Sequence, residues 1–423
     1  MRRDHGPKLR RWWLCAASIT LVAAAMAPAR ANALPAGVHV AFGSDPTTSL
    51  TVAWHVRSTT VAEGWVEWGI GSEELDRRAD ARRIPAPGAP STLFETTLGG
   101  ALDPGATVFY RACIEDGCAP VRRTATAPVT DSFRFAAFAD HGRKATSQRT
   151  TALVADTKPA MVLMPGDLSY ANANLPAWDD WFEQIEPLAG EVPLMVAPGN
   201  HETDPSQTPT PAAYGERFAL PGAEFYYSFD YGRAHFLMVH STVSAAARHM
   251  VLPDMLQFME QDLLGAAQRK RSGALDWIFV VQHHPLYGSQ DSSAPSKYLE
   301  RNYNTPLIAL EERMFHQYGV DVLIAGHNHQ YERSRPMAYG QATNDSRNAY
   351  RDAIGFVQVI TGGGGQSLYE FMDPADVQPW SVVRKERFHY TEFTIEGKKL
   401  TARAIATDDA AGEVLDQWTL QRS

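Results

Sequence analysis

Three short apolar runs constrain this chain more than any other feature, because all three end the same way. Met161-Val162-Leu163-Met164 leads into Pro165-Gly166-Asp167, Leu194-Met195-Val196-Ala197 into Pro198-Gly199-Asn200, and Val322-Leu323-Ile324-Ala325 into Gly326-His327. Apolar runs of this length, bounded by Gly or Pro, read as strands buried on both faces, and such strands belong to sheets covered by helices. A polar residue delivered at the C-terminal end of each strand stands where open α/β sheets hold their ligands. Gly166, Gly199 and Gly326 are expected to let the backbone turn sharply, so that the next side chain points into the site.

This rhythm begins after a Pro-bearing connector near Pro128, where apolar strands alternate with longer amphipathic stretches. Residues 38–127 follow a different rule. Short alternating bursts such as Leu50-Thr51-Val52-Ala53-Trp54-His55-Val56 and Gly64-Trp65-Val66-Glu67-Trp68-Gly69, broken by Gly, Pro and Asp, read as an all-β sandwich. Leu102-Asp103-Pro104-Gly105 followed by Val108-Phe109-Tyr110-Arg111 resembles the turn and strand of a fibronectin type III domain. Phe388 to Ile395, Leu400 to Ile405 and Trp418 to Leu420 read as closing strands. With 423 residues the chain exceeds one core, so the expected division is a leader over 1–33, a β-sandwich over 34–127 and an α/β domain over 128–423.

The leader reads as an export signal. Arg2, Arg3, Lys8, Arg10 and Arg11 precede an apolar run from Trp12 to Ala27, and Ala31-Asn32-Ala33 offers a small-residue cleavage site. Arg10-Arg11-Trp12-Trp13-Leu14 resembles a twin-arginine signal, with Leu9 where a Ser often stands; Sec export is the alternative. The run is shorter than the roughly 20 residues of a membrane span, so the mature chain is expected to be periplasmic or secreted, with no stable span. Removal of the leader leaves only Cys113 and Cys118, on either side of an Asp116-Gly117 that reads as a hairpin tip, and an oxidising compartment would let them pair. A net charge of −9, with no long basic stripe past the leader, argues against a nucleic-acid partner.

Five segments of the second domain carry the chemistry: Phe138-Ala139-Asp140-His141-Gly142, Gly166-Asp167-Leu168-Ser169-Tyr170, Gly199-Asn200-His201-Glu202, Gln282-His283-His284-Pro285 and Gly326-His327-Asn328-His329. Alone, an Asp after Gly is usually a turn residue and a strand-end His is usually structural. Carboxylates and imidazoles recurring at successive strand ends reverse that reading, because such donors suit first-row metals. Two ions roughly 3.5–4 Å apart clamp the attacking and leaving oxygens of phosphoryl transfer. His283 and His284 compete for one place, since adjacent strand residues point to opposite faces. Thr361-Gly362-Gly363-Gly364-Gly365 lacks the Gly-Lys-Ser/Thr spacing of a nucleotide loop and reads as a tight loop.

In this order and spacing the five motifs resemble the metallophosphoesterase superfamily, over about residues 135–361. Its first motif is commonly Asp-x-His, whereas here the position two after Asp140 is Gly142, so one imidazole is missing. Tyr170, three residues after Asp167, stands where purple acid phosphatases carry a tyrosinate ligand. Tyr226-Tyr227-Ser228-Phe229, the run Gly326 to Arg333 and the pairing with a fibronectin-like domain resemble that family too. A phenol of ordinary pKa ~10 ionises near neutrality only beside a strongly Lewis-acidic cation.

The resemblance implies a metallophosphoesterase domain of two β-sheets flanked by helices, hydrolysing phosphate monoesters of small phosphorylated substrates by attack of a metal-bound hydroxide. It implies Asp140, Tyr170 and His329 on a ferric ion, Asp167 bridging, and Asn200, His283 and His327 on a divalent ion, Fe, Zn or Mn. Its His-x-Pro pattern favours His283 over His284. His201 would face the substrate, stabilising phosphoryl oxygens or protonating the leaving alcohol, and His141 is a further candidate. A second substrate-facing His of many plant members is absent between Gly288 and Lys297. A phosphodiesterase or nucleotidase would use the same scaffold, and a secreted surface-binding module would rest on the sandwich alone. Oligomeric state is left open.

Overall fold

The computed structural model describes residues 33–100, 102–203, 212–241, 252–290, 305–374 and 377–423. The leader expected over 1–33 lies outside them except for Ala33. Among the described residues no helix is long and apolar enough to cross a membrane.

Alternation in the first hundred described residues builds two sheets. One is ordered β1 (Ala36–Phe42), β2 (Leu50–Val56), β6 (Thr92–Leu98), β5 (Arg82–Ile84). The other is ordered β4 (Arg77–Asp80), β3 (Gly64–Ile70), β7 (Thr107–Ile114), β8 (Gly117–Cys118), with β9 (Arg122–Ala125) also on β7. Val52, Trp54 and Phe94 of the first and Val66, Trp68 and Tyr110 of the second are buried in one apolar cluster. Glu115 and Asp116 form the tip between β7 and β8, one residue earlier than the Asp-Gly reading, and Cys113 and Cys118 are disulfide-bonded across it. The boundary expected after residue 127 falls between β9 and β10 (Ser132–Ala137).

From β10 onward two larger sheets face each other. The first is ordered β12 (Leu194–Ala197), β11 (Val162–Pro165), β10, β22 (His389–Glu396), β23 (Lys399–Ala406), β24 (Val414–Gln421), β19 (Ala349–Arg351). The second is ordered β13 (Tyr227–Tyr231), β14 (Ala234–Met238), β15 (Trp277–Val281), β16 (Val322–Ala325), β20 (Phe356–Thr361), β17 (Tyr331–Ala338), β18 (Gln341–Ala342), with β21 (Ser381–Lys385) also on β17. Aromatic rings fill the space between them: Phe135 of β10 meets Phe236 and Phe279 edge-on at 5.4 Å and stacks on Phe393 at 4.8 Å.

The period of two explains how a continuous apolar strand serves two cores. On β15, Trp277, Phe279 and Val281 face the other sheet, while Ile278 and Val280 join a separate cluster with Met255, Met259 and Leu263 of α5 (Leu252–Arg271) and Phe315 of the helix at Thr305–Tyr318. On the opposite side lie α1 (Ala145–Thr157) and α2 (Leu175–Ala189). α2 also carries the N-terminal region: Phe182 stacks on His39 of β1 at 4.3 Å, Arg122 pairs with Glu186 at 2.6 Å, and Tyr110 Oη donates to Gly190 O at 2.6 Å. Among the described residues the remaining helices, α3 (Asn200–Thr203) and α4 (Ala212–Gly215), are single turns after β12, and the helix at Thr305–Tyr318 is α6.

Candidate metal centre

β10 and β11 run parallel, and their backbones stay paired beyond the strand ends. The N–H groups of Asp140, His141 and Gly142 donate to the carbonyls of Gly166, Asp167 and Leu168 at 3.3, 3.1 and 2.8 Å. Asp140 and Asp167 are thereby held side by side. Asp140 (φ 57°), Asp167 (51°), Tyr170 (50°) and His327 (68°) all sit in the left-handed region. That conformation costs an L-residue roughly 1–2 kcal/mol, and such strain gathers where a site must aim side chains in directions a regular strand does not offer. Gly166 takes φ 81°, as its turn requires. Gly199 and Gly326 answer a different need from the one expected: a Cβ on Gly199 would stand 2.2 Å from Asp167 Oδ1, and one on Gly326 2.9 Å from Asp140 Oδ2. They are there for close approach, not for the turn.

The seven side chains named from the sequence converge in two groups. Tyr170 Oη lies 2.9 Å from His329 Nε2 and 3.2 Å from Asp140 Oδ1, and that oxygen is 3.3 Å from His329 Nε2. Asn200 Oδ1 lies 3.1 Å from His283 Nε2 and 3.0 Å from His327 Nδ1, which are 3.2 Å apart. Asp167 stands between: its Oδ2 is 3.3 Å from His283 Nε2, and one oxygen each of Asp140 and Asp167 lies within 4.8 Å of a His283 nitrogen. Ligand atoms at right angles, each about 2.1 Å from one ion, are about 3 Å apart, which is the spacing found within each group.

Proton positions strengthen the fit. His283 Nδ1 faces Pro165 O at 2.8 Å, and His329 Nδ1 faces Ser367 O at 2.8 Å; a carbonyl only accepts, so both Nδ1 atoms donate, and each ring in its neutral form turns an Nε2 lone pair inward. Those lone pairs meet carboxylate and amide oxygens. Burial opposes charge on His283, but Asp167 and Asp140 outweigh it and push its pKa up to about 9. Burial likewise opposes the Asp167 carboxylate, but His283 and His201 hold it well below the usual range. Burial, then the charges of Asp140 and Asp167, lift the Tyr170 phenol well above its ordinary value. Converging lone pairs and a phenol poised beside two carboxylates are the donor set of a cation.

His201 sits at the mouth, its side chain one-fifth exposed (20%). Its N–H donates to Asp167 Oδ1 at 2.9 Å, its ring lies 4.1 Å from that of Tyr170, and its Nδ1 is 2.7 Å from Asn172 Oδ1. His141 is not brought to the site: it is buried, its Nδ1 accepts from Trp181 Nε1 at 3.0 Å and its Nε2 lies 2.9 Å from Ser147 O. His284 is buried, 3.0 Å from Ser241 Oγ, with its ring centroid 4.3 Å from that of His327. The loop of Gly362 to Gly365 packs behind Asp140, with Gly364 N–H on Ala139 O at 3.0 Å and Gln366 N–H on Asp140 O at 2.9 Å. Residues 204–211 and 291–304, in segments that follow Asn200 and His283, lie outside the described residues.

Several supports were not assigned from the sequence. Glu202, 1% exposed, accepts the N–H groups of Asp167, Leu168 and Gly199 at 2.8, 3.0 and 2.9 Å, tying together two loops that carry ligands. Burial and the neighbouring Asp167 push its pKa up to about 8. Tyr227 Oη donates to Val196 O at 2.9 Å under Asn200, and Tyr369 stacks on His329 at 4.0 Å. Asp416 holds Tyr331 and Arg333, just past His329, at 2.8 and 2.5 Å. Glu202, Tyr227, Tyr331 and Arg333 lie inside motifs quoted above, whereas Tyr369 and Asp416 show no local signal, because each acts through a fold-dependent contact.

A fold of two facing sheets whose strand ends gather this donor set defines a metal-dependent phosphoesterase. Residues 133–331 match the calcineurin-like phosphoesterase family, and residues 355–417 match the iron/zinc purple acid phosphatase-like protein C family. Human acid phosphatase type 7 is 30% identical over 419 residues, covering 92% of either chain, and purple acid phosphatase 18 of Arabidopsis thaliana is 26% identical over 376 residues, covering 86% of this chain and 79% of that one. A purple acid phosphatase from yellow lupin (Lupinus luteus) seeds shares the fold with a TM-score of 0.79 at 24% identity, over 93% of this chain and 75% of that one. The chain belongs to the purple acid phosphatase family of calcineurin-like phosphoesterases.

Proposed function

We propose that this chain is an exported acid phosphatase that hydrolyses phosphate monoesters at a binuclear centre, a ferric ion beside a divalent Fe, Zn or Mn. The observation that carries the reading is the pair of donor groups, Asp140, Tyr170 and His329 on one side and Asn200, His283 and His327 on the other, with Asp167 between them. Tyr170 Oη stands 2.9 Å from His329 Nε2 and 3.2 Å from Asp140 Oδ1, and a phenol ionises near neutrality only beside a strongly Lewis-acidic cation, which supports iron at this group. When bound, two cations supply Lewis acidity to the phosphoryl oxygens and a nucleophile at low pH.

The chain's own residues do the rest. Asp167 and the two ligand groups fix where the phosphoryl group sits; Glu202 and Pro165 hold those groups in place. His201, oriented by Asn172, presents its ring at the mouth, where it binds a phosphoryl oxygen or gives a proton to the leaving alcohol. The disulfide between Cys113 and Cys118 and the leader pattern support export to an oxidising compartment.

Elemental analysis with a visible spectrum tests this reading. Active protein should contain iron and show a tyrosinate charge-transfer band that Tyr170→Phe abolishes, and 4-nitrophenyl phosphate should be turned over faster than its bis ester. Active enzyme without iron, together with a Tyr170→Phe variant of full activity and unchanged absorbance, would sink the iron assignment. Preference for the bis ester would make the chain a diesterase.

A further inference from the structure

Strand alternation lets only one of two neighbouring histidines reach a given face. His283 and His284 escape that rule, because β15 ends at Val281 and both lie in the bend beyond it. The fold brings the two rings to the same place. The ring centroids are 4.9 Å apart for His283 and His284, 4.3 Å for His284 and His327, and 5.0 Å for His283 and His327, and all three side chains are buried. One ring nitrogen of each lies within 4.8 Å of one from each of the others. Nitrogens on opposite sides of a single zinc-sized ion stand about 4 Å apart, so small side-chain shifts bring all three to one cation.

Two observations favour a ligand over a packed ring. The first is how His284 is held. Its N–H donates to Ser241 Oγ at 2.8 Å, its carbonyl accepts Gln282 Nε2 at 2.8 Å, and its Nδ1 stands 3.0 Å from the same Ser241 Oγ. A hydroxyl oxygen has two lone pairs, so Ser241 can accept both the backbone N–H and a protonated Nδ1, which leaves the Nε2 lone pair to face elsewhere. His283 and His329 are held alike, each with Nδ1 on a carbonyl oxygen, and metal-bound imidazoles are commonly oriented by such an acceptor on the far nitrogen. The second is the make-up of the trio. It holds no carboxylate, unlike the group of Asp140, Asp167 and His283. Nitrogen lone pairs gathered together repel unless a proton or a cation stands among them. A nitrogen-rich donor set also discriminates, because imidazole suits zinc and iron whereas manganese prefers oxygen.

We propose that His284 is a third imidazole ligand of the divalent ion, beside His283 and His327, and that it sets the choice of ion, favouring zinc or ferrous iron over manganese. The proposal rests on the binuclear reading and deepens it. It does not depend on which ester is cleaved.

The test titrates the metal-free full chain with zinc and with manganese against a competing chelator, alongside two variants. His284→Phe keeps a ring packed on His327 and removes the nitrogens, whereas His284→Ala removes both. Both variants should bind zinc at least about tenfold more weakly than the native chain and manganese within about threefold of it, and cobalt(II) should absorb differently in His284→Phe than in the native chain. In the native chain, which needs no substitution, X-ray absorption with one equivalent of zinc should show three imidazoles around the metal. His284→Phe that binds zinc like the native chain, or that loses zinc and manganese equally, reduces His284 to a packing ring and overturns the proposal. Fewer than three imidazoles around the native zinc overturns it too. All of these outcomes leave the binuclear reading standing, whereas a native chain that binds neither zinc nor manganese refutes that reading and this proposal with it.

Discussion

Replacing Glu202 by alanine and by glutamine separates what this buried side chain does as an acceptor from what it does as a charge. In the native chain Oε2 accepts the N–H groups of Asp167 and Gly199, and Oε1 accepts that of Leu168. Glutamine keeps one oxygen for the first two and turns an NH₂ toward the third. Alanine leaves all three donors buried without a partner. Both variants are neutral, so the burial cost that pushes the native carboxyl up to about 8 drops out of the comparison. They differ by two backbone hydrogen bonds, each left unmade at a cost of about 1–3 kcal/mol, so alanine should be less stable than glutamine by about 3 kcal/mol. Urea unfolding of the metal-free chain reads this difference directly. Because the same bonds fix the loops bearing Asp167 and Asn200, both variants should also bind metal about 10–100-fold more weakly, as is usual when a support behind a ligand is removed. Alanine and glutamine variants of equal stability, both holding metal like the native chain, would refute the idea that Glu202 clamps the two loops.

His201→Ala should lower kcat by about 10²–10⁴ on an alkyl phosphate and much less on 4-nitrophenyl phosphate, whose leaving group needs no proton; equal losses on both would remove its general-acid role. Away from the centre, His235 lies between Asp230 and Asp262, 2.7 Å from each, with Arg269 beside Asp230 and Ser228 on Asp262. Burial opposes its charge, but the two carboxylates push its pKa up to about 8. Raised above its unfolded value near 6.5, it contributes about 2 kcal/mol that is fully present below that pH and fades as pH rises through about 8. Unfolding free energies at pH 6 and 9 should show this loss in the native chain and not in His235→Gln; parallel slopes would sink the assignment.

Local pattern was enough to find most of the centre. Strands β11, β12 and β16 end within a residue of their apolar runs, and the polar residue after each reaches one cavity, because a strand buried on both faces has little freedom in where it stops. The same pattern misjudged two glycines, since the crowding of Gly199 against Asp167 and of Gly326 against Asp140 joins residues far apart in sequence. It also kept His141 as a candidate, when the ring is turned away by Trp181, forty residues on.

Residue types and their spacing determined that this chain carries buried strands tipped with metal-binding groups, and the family resemblance those motifs carry implied which seven side chains to examine. Only the tertiary structure decided that they fall into two groups with Asp167 between them and that Glu202 braces two of the loops. The reason is one of range. Periodicity and turn chemistry act over a few residues and are written locally, whereas the position of a charge or a lone pair relative to another is set by sheet register and packing across the whole chain.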